Sequence, residues 1–361
     1  MDLIKTNEYK ISFLDIEKWD EFIKFNQKIY PKTANIKERF QWQILDNPFL
    51  RDKHKLPILI AYNTRDQMVG QCIGVPYEFY FNDQCMRGFN DEYFHVLSNY
   101  RGKGIGKSLS HAISDHLKPA AAIQLTKIAK KVNSLAGKGQ IIGHLYRFVW
   151  LKNFFYFFKA INNSIFKAKN IFKETLAQNI ELPKILMVNK DCFTLTTTLN
   201  EQVDHSWSKD LFVFGRSKEF INWRFLSAPH NYYFYLLSDS KSLIYFVIEK
   251  STWRGLNILE IIDYRVPNKD TEKFMLILSA LKSLTEIIKY DGLRITSSNR
   301  FFDNTLKKSS FIKAGKSQDI LLHPDINTEQ YREAIKKRDF VIATQADIMV
   351  MFHRKITVKI V

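Results

Sequence analysis

One stretch decides the fold that this sequence predicts: Tyr100-Arg101-Gly102-Lys103-Gly104-Ile105-Gly106-Lys107-Ser108-Leu109. A strand pattern ends at Leu97, and an amphipathic helical pattern runs from Ile105 until Pro119 stops it. The glycines between these elements let successive backbone N–H groups point into one concavity, and the helix N-terminus adds about half a positive charge. A strand, a glycine-rich turn and a helix in this order predict a binding site for an anion of pyrophosphate size.

The spacing of the glycines excludes two common nucleotide-binding loops. A P-loop requires a glycine five residues before the Gly106-Lys107-Ser108 triplet, and that position is Arg101. A dinucleotide-binding fingerprint requires G-x-G-x-x-G, whereas the third glycine here comes one residue early and Lys107 follows it. The pattern that remains is R-x-x-G-x-G, formed by Arg101, Gly104 and Gly106.

This R-x-x-G-x-G pattern after a strand resembles the acyl-CoA pyrophosphate loop of the GNAT superfamily of N-acetyltransferases. The resemblance implies that acetyl-CoA or another acyl-CoA is the cosubstrate and that no metal is needed. It also implies that the strand pairs with the pantetheine arm and that the turn holds the phosphates. The cofactor-binding residues implied in this way are Val96, Leu97, Arg101, Gly102, Lys103, Gly104, Ile105, Gly106, Lys107, Ser108 and, farther along, Asn133. The alternative is a glycine-rich turn on a basic surface, without a ligand.

The composition indicates a globular protein with a basic surface. Its 361 residues include 54 Lys and Arg against 37 Asp and Glu, which gives a net charge of +17 at pH 7. This charge favours anionic partners such as nucleic acid, anionic lipid or phosphorylated substrates. No recognised nucleic-acid-binding module accompanies the charge, so we do not expect nucleic acid to be the partner.

The cysteines and the N-terminus favour a cytoplasmic location. Cys72, Cys85 and Cys192 form no CxxC pair, so they indicate neither a disulfide framework nor a zinc site. The first residues start no signal-peptide hydrophobic region. We therefore expect a protein of the reducing cytoplasm.

A short motif occurs twice and indicates an internal duplication. The motif W-x-x-L-x-x-P lies at residues 42–48 and again 181 residues later, at 223–229. After each copy, the sequence predicts several strands, a helix and a further strand. The predicted fold is therefore α+β, with two tandem GNAT-like domains, each a mostly antiparallel twisted sheet flanked by helices. We assign residues 1–149 to the first domain, 150–185 to a connecting segment and 186–361 to the second domain. The arrangement resembles bacterial two-domain GNAT proteins of cell-envelope polysaccharide genes.

The second copy lacks an equivalent of the glycine turn. The corresponding stretch, residues 266–272, contains no glycine, and Pro267 removes a backbone N–H. Asp270 and Glu272 would repel a pyrophosphate, and Asp270 has the position of an N-cap for the helix that follows. We therefore expect one acyl-CoA site per chain, in the first half, and a second half that shapes the acceptor pocket.

The connecting segment combines aromatic residues with lysines between residues 150 and 173. Its apolar runs are far shorter than the ~20 residues needed to cross a bilayer. A basic aromatic helix is typical of proteins that bind the surface of a membrane. The segment therefore allows a peripheral contact with the inner face of the membrane, and the alternative is a helix packed in the core between two domains.

Three side chains on the strand before the turn are candidates for acid–base catalysis. Transfer of an acyl group from a thioester to an amine needs a base that takes a proton from the ammonium group. Asp91 and Glu92 are expected on opposite faces because side chains alternate along a strand, and His95 is expected to share a face with Asp91. We favour Glu92 as the general base, directly or through water, and structural carboxylates are the alternative. No tyrosine follows Asn133 at the family's usual spacing for a general acid, so that role stays unassigned.

These features favour an acyl-CoA-dependent N-acyltransferase, most simply an acetyltransferase, in which a primary amine attacks the thioester directly. By analogy with the resembled proteins, the acceptor small molecule is an amino sugar or a cell-envelope precursor. One alternative is a tandem-GNAT aminoacyl transferase of the peptidoglycan-bridge type. The intact R-x-x-G-x-G turn argues against it, because those enzymes do not use CoA. Another alternative is a non-catalytic protein that binds membranes or anions. The sequence does not identify the acceptor or the oligomeric state.

Overall fold

The computed structural model describes residues 2–81, 84–123, 131–132, 140–165, 180–199, 212–237, 243–266, 270–298, 300–315, 318–323 and 341–342. The α-helices in these ranges are α1 (Trp19–Ile29), α2 (Ile36–Phe40), α3 (Ile105–His116), α4 (Phe154–Ile165), α5 (Lys218–Ile221), α6 (Thr271–Ile287) and α7 (Arg300–Lys308). The strands before α4 are β1 (Asp2–Lys5), β2 (Tyr9–Asp15), β3 (Lys55–Asn63), β4 (Met68–Phe81), β5 (Gln84–Val96), β6 (Ala120–Ile123) and β7 (Gln140–Leu151). The strands after α4 are β8 (Ile185–Val188), β9 (Asp191–Thr196), β10 (Phe212–Phe214), β11 (Tyr232–Leu237), β12 (Tyr245–Trp253), β13 (Leu256–Arg265), β14 (Gly292–Ser297), β15 (Ile312–Lys313), β16 (Gln318–His323) and β17 (Val341–Ile342).

The first half of the chain forms a sheet in which strands follow one another in sequence order. Strands β1 to β5 are antiparallel neighbours, and β6 runs parallel to β5 after the crossover helix α3. The apolar side of α3 packs on one face of this sheet, whereas α1 and α2 pack on the other face. The predicted strand, glycine turn and helix are therefore β5, the connection after it, and α3.

The second half repeats this topology. Strands β8, β9, β11, β12 and β13 are antiparallel neighbours, and β14 runs parallel to β13 after the crossover helix α6. The α+β class and the tandem layout predicted from the sequence are thereby confirmed.

Strand β7 joins the two sheets. Its first part, up to Leu145, pairs with β16, which lies between β7 and β6 in the first sheet. Its second part, from Tyr146 to Leu151, pairs with β14 in the second sheet. The boundary that we place after residue 149 falls within this strand, and the division of the chain into three segments stays a prediction.

The two copies of the tryptophan motif contact each other within the largest apolar core. Trp42 Nε1 donates to the Trp223 carbonyl oxygen at 3.0 Å, Trp223 Nε1 donates to the Trp42 carbonyl oxygen at 2.9 Å, and the rings stack with centroids 5.1 Å apart. Each tryptophan lies in a π-helical turn, Gln41–Leu45 or Asn222–Leu226, which follows a short helix. Such reciprocal bonds are what an approximate two-fold relation between the halves produces, and the largest apolar core surrounds them.

Helix α4 contains the first part of the aromatic connecting segment and lies on the second sheet. Its Ala160 is buried against Leu256 and Ile258 of β13. Residues 166–179 of the segment lie outside the described residues. None of the helices in the described ranges is long and apolar enough to cross a membrane.

Candidate functional site

The turn between β5 and α3 leaves the N-terminus of that helix open. Gly102 and Gly104 have φ angles of 84° and 82°, the left-handed conformation that glycine adopts without strain. Gly104 is the N-cap of α3, and no side chain among the described residues caps this end. The Ser108 N–H donates to the Gly104 carbonyl oxygen at 3.0 Å as the helix begins. The N–H groups of residues 105–107 are therefore available to an anion.

Long-range hydrogen bonds hold this turn from beneath. The Tyr9 hydroxyl on β2 lies 2.9 Å from Ser108 Oγ, and a Cβ atom at Gly104 would lie 3.5 Å from the same hydroxyl. Asn63 at the end of β3 donates from Nδ2 to the Tyr100 hydroxyl oxygen at 2.9 Å. Sequence reasoning missed Tyr9 and Asn63 because no local pattern relates them to a turn so much farther along the chain.

The cations of the turn differ in what they contact. Arg101 Nε donates to the Val96 carbonyl oxygen at 3.0 Å, so the guanidinium lies beside the end of β5. Lys103 Nζ lies 3.8 Å from the Glu8 carboxylate, and Lys107 lies in the first turn of α3. All three cations are exposed, so their attraction for an anion extends over roughly a Debye length, about 8–10 Å.

A bulge in β5 changes which of its side chains share a face. Gln71 of β4 pairs with His95 and Ile73 pairs with Glu92, so β5 has one residue more than β4 between these pairs. The bulge includes Tyr93, whose φ of 54° is left-handed. This backbone conformation costs on the order of 1–3 kcal/mol in a bulky residue, so it persists only where other contacts hold it.

Buried amides provide those contacts. The Tyr93 carbonyl oxygen accepts a hydrogen bond from Gln71 Nε2 at 3.3 Å, and the Tyr93 hydroxyl donates to Gln43 Oε1 at 2.5 Å. Gln71 in turn exchanges two hydrogen bonds with the Asn26 side chain of α1, at 3.0 and 2.8 Å. The bulge is therefore fixed by the elements on the α1 side of the sheet.

The bulge overturns the expected position of His95. Phe94 packs with α3, whereas the His95 ring lies edge-on to Tyr30, 5.9 Å between centroids, on the α1 side. The prediction that His95 shares a face with Asp91 is wrong, because simple alternation does not include the extra residue. Burial, and then the positive charge of Arg101, lower the pKa of His95, so a neutral imidazole is favoured near pH 7.

Asp91 lies beneath α3. It is 8% exposed, and its Oδ1 accepts a hydrogen bond from Cys72 Sγ at 2.7 Å. Burial raises the pKa of Asp91 from 3.8 to about 6, although the Cys72 hydrogen bond acts in the opposite direction. Because Cys72 belongs to the apolar core under α3, the geometry favours Asp91 as part of that core.

Glu92 lies on the opposite face, towards the second half of the chain. Its Oε1 accepts a hydrogen bond from Asn90 Nδ2 at 2.9 Å, and its side chain is half-buried. Arg224 of the second half is buried and donates to the Tyr232 hydroxyl at 3.2 Å. Burial by itself would lower the pKa of Arg224, but Tyr232, Tyr77 and Glu92 around it raise that pKa above its ordinary value. The second half thus places a buried positive charge within electrostatic reach of the favoured general base.

Strands β5 and β6 separate beside the turn. They pair at Phe89 with Ala120 and at Asn90 with Ala121. No further pairs join these two strands within the described ranges, so the edge of β5 that faces β6 has no described strand partner from residue 91 to residue 96, and the Val96 carbonyl oxygen in this stretch accepts a hydrogen bond from Arg101 Nε. We call this stretch the open edge of β5. This edge presents backbone N–H and C=O groups that can bind an extended ligand, and it leads directly into the glycine turn.

Asn133 lies outside the described residues. Within the part of the chain that the structure describes, no three His, Cys, Asp or Glu side chains are grouped so that they could hold a metal ion. Cys72, Cys85 and Cys192 are free thiols.

The second half has the equivalent helix but not the open end. Asp270 is the N-cap of α6, and its Oδ1 accepts a hydrogen bond from the Lys273 N–H at 3.0 Å. The predicted N-cap role of Asp270 is confirmed. The carboxylate occupies the place where an anion would bind, so of the two crossover helices, α3 and α6, α3 alone has an open N-terminus.

Solved structures share this architecture. A GCN5-related N-acetyltransferase from Anabaena variabilis is similar over 87% of this chain and 72% of its own, with a TM-score of 0.54 and 13% identity. One from Kribbella flavida matches 88% of this chain and 71% of its own, with a TM-score of 0.53 and 12% identity. The chain has the GNAT fold. A Saccharomyces cerevisiae N-myristoyltransferase, with bound myristoyl-CoA and inhibitors, matches 94% of this chain and 87% of its own, with a TM-score of 0.51 and 10% identity.

No family model matches the sequence, and no curated protein matches it either. The GNAT assignment therefore concerns the fold.

Proposed function

We propose that the chain is an acyl-CoA-dependent N-acyltransferase. The observation that carries the proposal is the uncapped N-terminus of α3, which follows left-handed glycines and lies beside the open edge of β5. A pyrophosphate would bind the free N–H groups of that helix end, and an extended arm would pair with the open strand. The two features adjoin in one half of the molecule, in the arrangement that an acyl-CoA requires.

The residues divide by role. The free N–H groups and the three exposed cations would hold the phosphates, and the end of β5 would pair with the pantetheine arm. We assign acyl-CoA binding to Val96, Leu97, Arg101, Gly102, Lys103, Gly104, Ile105, Gly106, Lys107 and Ser108, and we retain Asn133 as an expected contact.

The proposed reaction is direct attack of a primary amine on the thioester carbon of a bound acyl-CoA. The amide C–N bond forms as the C–S bond breaks, and CoA leaves as a thiolate that takes up a proton. Placing amine and thioester side by side can lower the barrier by ~7–11 kcal/mol when their alignment is good. A backbone N–H near the end of β5 would donate to the oxygen that gains negative charge. We propose that Glu92 takes the proton from the ammonium group, directly or through one water molecule. Asp91 and His95 remain weaker candidates because one lies under α3 and the other packs on Tyr30.

For the acyl group we propose acetyl, and for the acceptor a small molecule with a primary amine, such as an amino sugar or a cell-envelope precursor. Support for this acceptor class comes from the resemblance of the tandem layout to polysaccharide-associated proteins. We propose a cytoplasmic location, which suits three free thiols.

Titration calorimetry with acetyl-CoA tests the binding step, and Gly102→Ala with Gly315→Ala is the matched pair of variants. Both glycines are left-handed, with φ of 84° and 86°, and a Cβ atom at either meets nothing within 4 Å. Both substitutions should therefore cost a similar amount of stability, about 1 kcal/mol. We expect Gly102→Ala to weaken acetyl-CoA binding at least about tenfold, because it changes the backbone of the turn that precedes α3. We expect Gly315→Ala to leave acetyl-CoA binding unchanged.

Catalysis is tested separately, by release of free CoA thiol in the presence of a panel of amino-sugar nucleotides and simple amines. Release that depends on one class of amine would identify the acceptor. Binding of acetyl-CoA without amine-dependent release would favour the non-catalytic alternative. Absence of acetyl-CoA binding to the wild-type chain would remove the proposal.

A further inference from the structure

Helix α4 presents a cluster of exposed phenylalanines. Phe154, Phe155 and Phe158 are 71%, 70% and 51% exposed, far more than the core aromatic residues of this chain. We name these three residues the phenylalanine cluster. The rings of Phe154 and Phe158 lie edge-to-face with centroids 4.7 Å apart, which joins the first two turns of the helix in one apolar surface. Exposed apolar surface of this kind, gathered on one element, marks an interaction site.

The other side of α4 is fixed to the body of the protein. Ala160 is buried against Leu256 and Ile258, and Tyr156 packs at the edge of the same core. At the start of the helix, the Tyr156 N–H donates to Asn153 Oδ1 at 3.3 Å. Because the helix is anchored through this face, the phenylalanine cluster stays on the opposite, exposed side of α4.

Cations and a tryptophan accompany the cluster. Lys159 is exposed, with its Nζ 6.0 Å from the centre of the Tyr156 ring. Arg254 is exposed at the tip of the β12–β13 hairpin, with its guanidinium 4.8 Å from the Trp253 ring, and Trp253 packs at the edge of the core under α4. Aromatic rings together with lysine and arginine are the composition that binds at the headgroup level of a bilayer.

We propose that α4 docks the protein on an anionic lipid bilayer, with the phenylalanine cluster inserted at the interface and Lys159 and Arg254 facing the lipid headgroups. The charge of the chain selects this occupant over a second copy of the chain. With a net charge of +17, two copies repel each other, whereas an anionic bilayer attracts each of them. The helix would lie in the plane of the interface, because its polar neighbours and its anchored face prevent deeper insertion.

The proposal is tested by co-sedimentation of the full chain with vesicles of phosphatidylcholine alone or mixed with phosphatidylglycerol. We expect the wild-type chain to pellet with the mixed vesicles and at least about tenfold less with phosphatidylcholine alone, since each basic residue near an anionic surface contributes to binding. High salt should release part of the bound protein. If the wild-type chain stays in the supernatant with the anionic vesicles at low salt, the proposal is wrong.

Variants locate the contact. Phe154→Ser, Phe155→Ser and Phe158→Ser combined should weaken binding to the mixed vesicles by about tenfold or more, because the inserted apolar area is lost. The matched control combines Ile185→Ser and Met187→Ser, which remove apolar side chains that are 60% and 56% exposed on β8, and it should bind as the wild type does. Equal loss in both variants would mean non-specific adhesion, and an unchanged triple variant would place the contact elsewhere. Either result overturns the proposal.

Two further measurements keep the outcome clear. If a second copy of the chain covers the phenylalanine cluster, the wild-type chain should be a dimer in solution and the triple variant a monomer. Light scattering after size exclusion would detect this difference, which would contradict the proposal. Calorimetry with acetyl-CoA should give the same affinity for the triple variant as for the wild type. This control shows that the variant is folded, and it separates membrane docking from the acyl-CoA site.

Discussion

The two crossover helices, α3 and α6, occupy equivalent places in the two halves but end differently. The N-terminus of α3 follows two left-handed glycines and carries no side-chain cap within the described part of the chain. The N-terminus of α6 is closed by the Asp270 carboxylate. Since the same helix end attracts either a carboxylate of the chain or an anionic ligand, a single N-cap position separates the proposed ligand site from a capped helix.

The strands that precede these two helices, β5 and β13, also differ in what lies beside them. Both β5 and β13 have a register shift, and the first residue paired beyond it is His95 in β5 and Asp263 in β13. Asp263 is fully buried and accepts hydrogen bonds from Arg216 at 2.8 and 3.1 Å and from the Tyr245 hydroxyl at 2.8 Å. A buried bidentate ion pair therefore fills this place in the second half. The pairing of β13 with β14 continues to Ile261, which lies directly before the register shift as Glu92 does in β5, whereas the pairing of β5 with β6 ends two residues earlier, at Asn90.

The largest expected effect concerns Glu92, the proposed general base. Glu92→Gln should lower kcat by about 100- to 10,000-fold, because the amide does not accept the proton of the ammonium group. The KM for acetyl-CoA should change little, since Glu92 lies on the face away from α3. Steady-state thiol release with the amine found in the screen measures both constants, and Asp91→Asn is the control that should retain kcat. Comparable activity of Glu92→Gln and wild type would remove Glu92 from its assigned role.

The difference between the helix ends can be reversed by giving α3 a carboxylate. Gly104→Asp should weaken acetyl-CoA binding about 100-fold, because the new charge repels the pyrophosphate and competes for the same N–H groups. Gly104→Asn, which has the same shape and also tolerates a left-handed backbone, should weaken binding by about tenfold. Calorimetry gives both affinities, and identical losses would show that charge at this position has no influence.

Asp91 offers a test of the core under α3. Its folded-state pKa of about 6 exceeds the unfolded value of 3.8, so the folded state binds the proton more tightly. The contribution of Asp91 to stability is therefore highest below pH 4, falls as pH rises towards 6, and stays lower above pH 6. Asp91→Asn should raise the free energy of unfolding by about 3 kcal/mol at pH 8 and change it little near pH 4, because the two pKa values differ by about 2.2 and each pKa unit corresponds to 1.36 kcal/mol. Urea unfolding at the two pH values measures this, and a gain of equal size at both would contradict the burial argument.

The smallest expected effect is the complementary change in the second half. Asp270→Ala should destabilise the chain by about 1 kcal/mol, the usual cost of removing an N-cap. Its acetyl-CoA affinity should equal that of the wild type, because α6 is not the ligand site. Thermal unfolding and calorimetry on one preparation give both values. Weaker acetyl-CoA binding by this variant would mean that the two halves are coupled at the site.

Local sequence was enough to predict the elements of the site. The R-x-x-G-x-G spacing, the apolar periodicity after it and the N-cap Asp270 describe events within one or two turns of backbone, where glycine conformation and helix capping act locally. The repeated tryptophan motif predicted the duplication, because equivalent core positions in two copies need the same side chains. Several strands of both halves, among them β3, β5, β11 and β14, could be predicted from their apolar residues and from the turn residues between them.

The tertiary structure decided which side chains face each other around the site. The bulge at Tyr93 placed His95 away from Asp91, and its cause is a set of amides on other elements, Gln71 and Gln43. Tyr9 beneath the glycine turn, Arg224 near Glu92 and the sharing of β7 between two sheets depend likewise on contacts between distant parts of the chain. The sequence by itself determined that one helix N-terminus is open and the other capped, because a single residue sets each end. Which side chains surround the open end was decided only by folding, because strand register and packing are collective properties of the whole sheet.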